Sequence, residues 1–424
     1  MSRPNIVYFH THDTGRYIEP YGAPIRTPRL QAFAEESVVF RNAHSVAPTC
    51  SPSRAGLLTG QWAHSAGMLG LSHRGHELND YDQHLVHTLH RHGYTSALIG
   101  VQHEASGPEA ATRTIGYHEE LPTADRLAPA RREAAVSYLR RPHDQPFFLS
   151  VGLLETHTMR DTEWLFGHPA GDERWTAPAP TMPNATATRR DMASFHAAAD
   201  QVDRTLGAVL DTLQEQGLAD NTIVLVTTDH GLAMPGMKCT LGATGTGVMM
   251  MLRGPGLPSG LAVDSLVSQV DVFPTLCELL DIEPPSWLQG RSLLPTLEGR
   301  SVRDETFAEI TYHAAYQPQR AIRTDRWLYI RSFDDQSRPN LENVDASGSK
   351  TLWVEAGWAE QTVPGVRLHD LMFDPHELRN LAGDPTVATV QADLAERLDR
   401  WMLETGDPLL RGPVPPPVPD GQPA

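Results

Sequence analysis

The sequence predicts an α/β fold built on a large, mostly parallel sheet, and three observations carry that prediction. Short apolar runs recur along the chain and stop abruptly at polar residues. Amphipathic helical patterns separate those runs. Three of the run ends bear Asp or His, which points to one shared cleft beyond the carboxyl ends of the strands.

The first run is I-V-Y-F at 6–9, a buried strand that ends at a polar loop. Residues 27–36 then read as a helix. Residues 97–100 form a weaker strand ending near His103. Residues 147–153 repeat the buried-strand pattern and stop at Glu155 and His157. A long helix is expected over 192–216, with Val202, Leu206, Val209, Leu210 and Leu213 on one side. Residues 222–226 make another buried strand, which stops at Asp229 and His230. From about residue 300 the pattern changes. Residues 321–331 alternate like one strand with an exposed face, and 390–404 read as an amphipathic helix. The expected organisation is therefore a catalytic α/β domain over 1–300 and a smaller C-terminal α+β domain over 301–412. A proline-rich tail over 413–424, extended or disordered, follows.

Composition excludes several classes. The 424 residues are 40% hydrophobic and 21% charged, an ordinary globular mixture. A net charge of -17 argues against a nucleic-acid partner, which calls for a basic face. It leaves room for an anionic substrate, because a few local cations can outweigh a distant acidic surface. The three cysteines, Cys50, Cys239 and Cys277, do not make a disulfide scaffold. Cys277 sits in a helical pattern, where it reads as packing. No stretch is apolar and long enough to span a membrane, and the start lacks a signal-peptide core, so the cytoplasm is expected.

The run C-S-P-S-R-A-G-L-L-T-G at 50–60 carries the chemistry. Pro52 suits the first turn of a helix. Cys50 is thus expected at a helix N-terminus, where free N–H groups and the helix dipole favour an anion. Arg54 adds a fixed, two-pronged positive charge. A cysteine there has a depressed pKa and is reactive.

This run is similar to the signature of the sulfatase family, C-x-P-S-R-x-x-x-L-T-G, at every fixed position. The resemblance implies an alkaline-phosphatase/sulfatase-like α/β fold. It also implies that Cys50 is oxidised to formylglycine by a maturation enzyme, giving a nucleophile for sulfate esters. Further landmarks support it: 265–276, 288–295 and 368–382 match later segments of the family. Q-W-A-H-S-A-G-M-L-G-L at 61–71 and W-M-L-E-T-G-D-P at 401–408 resemble its heparan N-sulfatase (sulfamidase) group, which would place His64 towards the substrate, with packing of its loop as the alternative.

The resemblance also assigns roles at the strand ends. T-H-D-T-G at 11–15 and T-T-D-H-G at 227–231 correspond to the family's metal clusters. They imply one divalent ion held by Asp13, Asp229 and His230 together with residue 50, with His12 as a further candidate where the family usually has Asp. Calcium is the first expectation, with magnesium, manganese or zinc as alternatives; the imidazoles pull towards softer ions. His157 and His103 are implied to protonate the leaving group, and Arg54 and Lys238 to bind the anion. The family's usual lysine two residues before His103 is replaced by Val101. That departure keeps two other readings open: a phosphonate monoester or phosphodiester hydrolase, and a silent anion-binding relative. The expected substrate is an anionic small molecule or a sulfated saccharide.

Overall fold

The computed structural model describes residues 3–159 and 161–417. Its centre is an eight-stranded sheet of strands β1 (Asn5–Thr11), β2 (Val38–Phe40), β4 (Thr95–Gly100), β5 (Glu119–Leu121), β6 (Phe147–Gly152), β7 (Thr222–Thr228), β8 (Met250–Arg253) and β9 (Leu261–Val263), in the order β5-β4-β6-β1-β7-β8-β2-β9. A two-residue strand β3 (Ala43–His44) pairs beside it with β10 (Val267–Ser268). The sheet is mixed. Its pairings are parallel except those of β8, which runs antiparallel to both β7 and β2.

The continuous apolar runs now have a cause. Ile6 and Tyr8 of β1 face one buried cluster with Leu98, Phe148, Ile223 and Leu225. Val7 and Phe9 face the other, with Ile99, Leu149, Val151, Val224 and Val226. A parallel strand covered on both faces cannot alternate with polar residues, so it reads as unbroken. Helices Cys50–Thr59 and Val272–Leu279, the latter containing the buried Cys277, cover the first face. Helices Pro28–Glu35, Ala128–Leu139 and Thr186–Glu215 cover the second. The long helix starts six residues before the expected position, at Thr186. Asp203 on that helix is buried and accepts the Leu30 amide at 2.8 Å, which ties it to helix Pro28–Glu35.

A four-stranded antiparallel sheet follows in the order β11 (Glu305–Tyr312), β12 (Tyr316–Thr324), β13 (Trp327–Ser332) and β14 (Val366–Asp370). The single strand expected over 321–331 is therefore wrong. That segment is a hairpin turning at Asp325 and Arg326. Thr324 Oγ1 accepts the Trp327 amide at 2.9 Å and the Arg326 amide at 3.3 Å, which closes the turn. A turn this short leaves the alternation almost unbroken, so periodicity alone did not show it. Helix Ala388–Thr405 matches its expected span and packs on this sheet. Trp401 stacks on Phe307 at 4.7 Å, and Trp62 meets both edge-on. Val46, Ala47 and Trp62, which flank helix Cys50–Thr59, belong to the same cluster, so the small sheet is joined to the large one next to that helix. Of the tail, residues 413–417 carry neither helix nor strand; Val414 is held by the hydroxyls of Tyr312 and Tyr316, and the remainder lies outside the described residues. No helix among the described residues is long and apolar enough to cross a membrane.

Candidate active site

Strands β4, β6, β1 and β7 are neighbours, so their carboxyl ends deliver four clusters side by side. The helix Cys50–Thr59 points its N-terminus at them, and every residue of it is buried. Two glycines make that possible. At Gly56 a Cβ would lie 2.3 Å from Val46 Cγ2, so the helix could not sit so deep. Gly60, at φ 67°, ends the helix in the left-handed region and returns its amide to Gly56.

Cys50 Sγ is 3.3 Å from His230 Nε2. Burial pushes the thiol up, but Lys238, His12 and His230 overcome it and hold it well below its usual value. Asp13 lies 3.1 Å from His230 Nε2 through Oδ1 and accepts from Lys238 through Oδ2 at 2.9 Å. Asp229 accepts the amides of Asp13 and His230 through Oδ1, at 2.8 and 2.9 Å. Burial alone would raise both carboxyls. The basic side chains around them keep both well below the usual range: chiefly Lys238, His157 and His230 for Asp13, and His230, His12 and Arg54 for Asp229.

The sequence assigned Arg54 to anion binding, but its contacts are with the protein. Nη1 meets His10 Nδ1 at 2.5 Å, and Nη2 donates to the Thr11 carbonyl and to Asp229 Oδ2, both at 3.0 Å. Arg54 thus positions Asp229. Ser53 holds the same residue from the other side, with its hydroxyl donating to the Asp229 carbonyl at 2.5 Å. Lys238 does face the site. Its Nζ reaches Asp13, Asp345 at 3.0 Å and His157 Nε2 at 3.3 Å. His157 Nδ1 donates to the Thr158 carbonyl at 2.6 Å, which leaves Nε2 as the group turned to the site. His103, at φ 87°, lies edge-on to His12 at 5.0 Å, with its Nδ1 buried and unpartnered. Burial lowers its pKa, with the nearby Cys50 opposing the shift. Val101 puts its amide on the Gly152 carbonyl. It brings no charge to the site.

His64 is not at this site, and the expectation that it contacts substrate is corrected. Its Nδ1 pairs with Glu309 at 2.9 Å and its Nε2 with Thr405 Oγ1 at 2.8 Å, with Arg320 and Asp407 completing a buried charged cluster. It fastens the helix after the Cys50 motif to the small sheet. Several site residues went unnoticed in the sequence. Asp345 anchors Lys238. His10 pairs with Arg54. His313 is buried with an unpartnered Nδ1 and senses Lys238 and Cys50. Glu104 is pushed up to about 7 by burial, with Arg54 opposing the shift. Asp345 and His313 come from irregular segments far along the chain, with no motif to mark them.

The donors fit a divalent cation. His12, Asp13, Cys50 and His157 bring ligand atoms within 4.8 Å of one another, and so do Asp13, Cys50, Asp229 and His230. Both ring nitrogens of His12 and Oδ1 of Asp13 are buried without a hydrogen-bond partner, although His12 Nδ1 is 2.9 Å from Asp229 Oδ2. Orphaned lone pairs facing two buried carboxylates are what a cation satisfies.

Buried carboxylates, imidazoles and a cysteine at a helix start, on the carboxyl edge of a mostly parallel sheet, define an α/β protein with a site suited to a cation and an anionic ligand. Residues 4–282 match the family described as sulfatase, and residues 244–349 match the family described as N-sulphoglucosamine sulphohydrolase, C-terminal. The chain belongs to the sulfatase family and is a sulfuric ester hydrolase. It is 29% identical to the N-sulphoglucosamine sulphohydrolase of Homo sapiens, over 92% of this chain and 88% of that protein. It is 26% identical to an ulvan-active sulfatase of Formosa agariphila, over 96% of this chain and 76% of that protein. Among solved structures, a protein in complex with its substrate D-glucosamine-2-N,6-O-disulfate superposes with a TM-score of 0.72 at 19% identity, covering 97% of this chain and 99% of that one. A phosphonate monoester hydrolase of Agrobacterium radiobacter superposes with a TM-score of 0.70 at 20% identity, over 95% and 96% of the two chains. These two likenesses concern the fold.

Proposed function

We propose that this enzyme hydrolyses the sulfate ester or sulfamate of a sulfated sugar, with a formylglycine made from Cys50 as nucleophile. The observation that carries the reading is Cys50 at a buried helix N-terminus, 3.3 Å from His230 and ringed by Asp13, Asp229, His12 and Lys238. The sulfated-sugar substrate is supported by the human and Formosa relatives.

The hydrated aldehyde offers two hydroxyls. One attacks sulfur, forming an S–O bond while the bond from sulfur to the sugar oxygen or nitrogen breaks. The leaving atom takes a proton from His157 or His103. His157 has its Nδ1–H committed to the Thr158 carbonyl, so Nε2 is the ring nitrogen that faces the leaving atom. The second hydroxyl then returns a proton to the imidazole that protonated the leaving atom, the carbonyl re-forms as the C–O bond to sulfate breaks, and water adds to the aldehyde to restore both hydroxyls. Lys238 supplies positive charge to the sulfuryl oxygens, and a substrate oxygen takes the place of His157 Nε2 on its Nζ. Arg54 and Ser53 keep Asp229 in position. A divalent ion held by Asp13, Asp229, His230 and His12 beside residue 50 would polarise a sulfuryl oxygen.

Peptide mass spectrometry should find residue 50 about 18 Da below cysteine, the change from thiol to aldehyde. Cys50→Ala should abolish hydrolysis of N-sulfated and O-sulfated glucosamine. Sulfatase turnover that survives in that variant refutes the reading. The missing lysine at Val101 favours a second reading, phosphonate monoester or phosphodiester hydrolysis. Faster turnover of aryl phosphonates than of aryl sulfates by the matured protein would select it.

A further inference from the structure

We infer that the cation held beside residue 50 is a first-row transition dication of the zinc type, and that calcium is disfavoured. The inference rests on the metal-dependent reading above and concerns which ion that site takes.

Calcium requires about six to eight oxygen ligands and usually takes carboxylates two-pronged. The carboxylate oxygens here are already spent. Asp13 Oδ2 is taken by Lys238 at 2.9 Å. Asp229 Oδ1 holds the amides of Asp13 and His230 at 2.8 and 2.9 Å. Asp229 Oδ2 is shared with Arg54 at 3.0 Å. Asp13 Oδ1 alone of the four has no hydrogen-bond partner. The pair therefore offers one oxygen each, not a two-pronged grip.

The nitrogens are set up differently. His230 Nδ1 donates to the Gly231 carbonyl at 3.0 Å, which fixes the tautomer and leaves the Nε2 lone pair facing Asp13 Oδ1 and Cys50. An imidazole pinned by a backbone carbonyl on one nitrogen, with the other free, is the arrangement that makes a histidine a metal ligand. His12 is fully buried; its Nδ1 lies 2.9 Å from Asp229 Oδ2, and its Nε2 has no hydrogen-bond partner. A buried ring nitrogen left without a partner costs stability unless something binds it. Two imidazole nitrogens and two single carboxylate oxygens form a mixed set of low coordination number. That set suits zinc, cobalt or manganese and leaves calcium short of ligands.

A free thiolate would itself capture zinc, so the test uses the full-length Cys50→Ala chain beside the matured enzyme. Both are stripped with chelator and dialysed against equimolar Ca2+, Mg2+, Mn2+ and Zn2+, and bound metal is counted by mass spectrometry. Zinc or manganese should bind at least about tenfold more tightly than calcium in both proteins. Titration with Co2+ should give visible ligand-field bands, and His12→Asp should narrow or reverse the preference towards calcium. His230→Asn is the second variant should His12→Asp fail to fold. Preferential calcium binding by the Cys50→Ala chain overturns the inference and leaves the proposed function standing. So does a preference unchanged in both histidine variants. Failure of every ion to bind overturns the metal-dependent reading itself.

Discussion

Replacing His64 with alanine separates a structural role from a substrate-binding one. The side chain gives up its bond to Glu309 at 2.9 Å, its bond to Thr405 at 2.8 Å and an edge-on contact with Trp401 at 5.1 Å. A hydrogen bond to a charged group contributes roughly 1.5–3 kcal/mol and a neutral one about 1 kcal/mol. Glu309 keeps Arg320 at 3.4 Å, which limits the damage. The expected loss is about 3 kcal/mol. An unfolding entropy of about 2.1 cal/mol/K per residue, over 424 residues, converts this to a fall in Tm of roughly 3 °C. Calorimetry at neutral pH measures that fall, and steady-state kinetics on an aryl sulfate should give kcat and KM within about twofold of wild type. An unchanged Tm with KM raised tenfold would refute the assignment and return His64 to the substrate.

Other variants probe the remaining parts. Asp345→Asn removes one of the two carboxylates that hold Lys238 and should lower kcat/KM about tenfold, in line with the loss of a charge-assisted bond; kinetics at constant ionic strength check it. Trp401→Ala opens the stack with Phe307 and Trp62 and should cost about 3–5 kcal/mol, read by denaturant unfolding. His84 carries a pH signature. Burial, then His87 and His90, lower its pKa from 6.5 to about 3, and its Nδ1 accepts the Val86 amide. Its contribution to stability is full above pH 6.5 and is lost as pH falls from 6.5 towards 3, because the unfolded chain takes up the proton first. At pH 5 the loss is about 2 kcal/mol. The slope of unfolding free energy between pH 7 and pH 5 should therefore be shallower in His84→Asn, and equal slopes would contradict it.

The parts of this fold legible in the sequence are those that one local rule governs. Residues 6–9, 147–153 and 222–226 announce β1, β6 and β7 because strands sandwiched between two helical layers must be apolar throughout. Adjacent strand ends then bring Asp13, His157, Asp229 and Lys238 together, as their positions after buried strands imply. The hairpin at Asp325 and Arg326 was hidden because its turn barely interrupts the alternation. His64 misled because its partner Glu309 is 245 residues away, a pairing that no local pattern reports. The contacts of Arg54 were not legible in the sequence. Its charge is matched to Asp229 and His10 by the meeting of separate strand ends, which is a tertiary fact.

The burial of helix Cys50–Thr59 also sets an order of events during synthesis. The Cys50 side chain lies beneath residues from β7 and the loop after it, and Val46 and Trp62, flanking its helix, are sealed by β11–β14 and the helix Ala388–Thr405. Those covering segments leave the ribosome long after residue 50. If residue 50 is converted as proposed, the converting enzyme would have to act on the emerging chain, in the interval before the C-terminal half arrives and closes over it. On the proposed reading, competence would be decided in that interval: a molecule that folds first would keep a thiol at its centre, and only unfolding would give it a second chance.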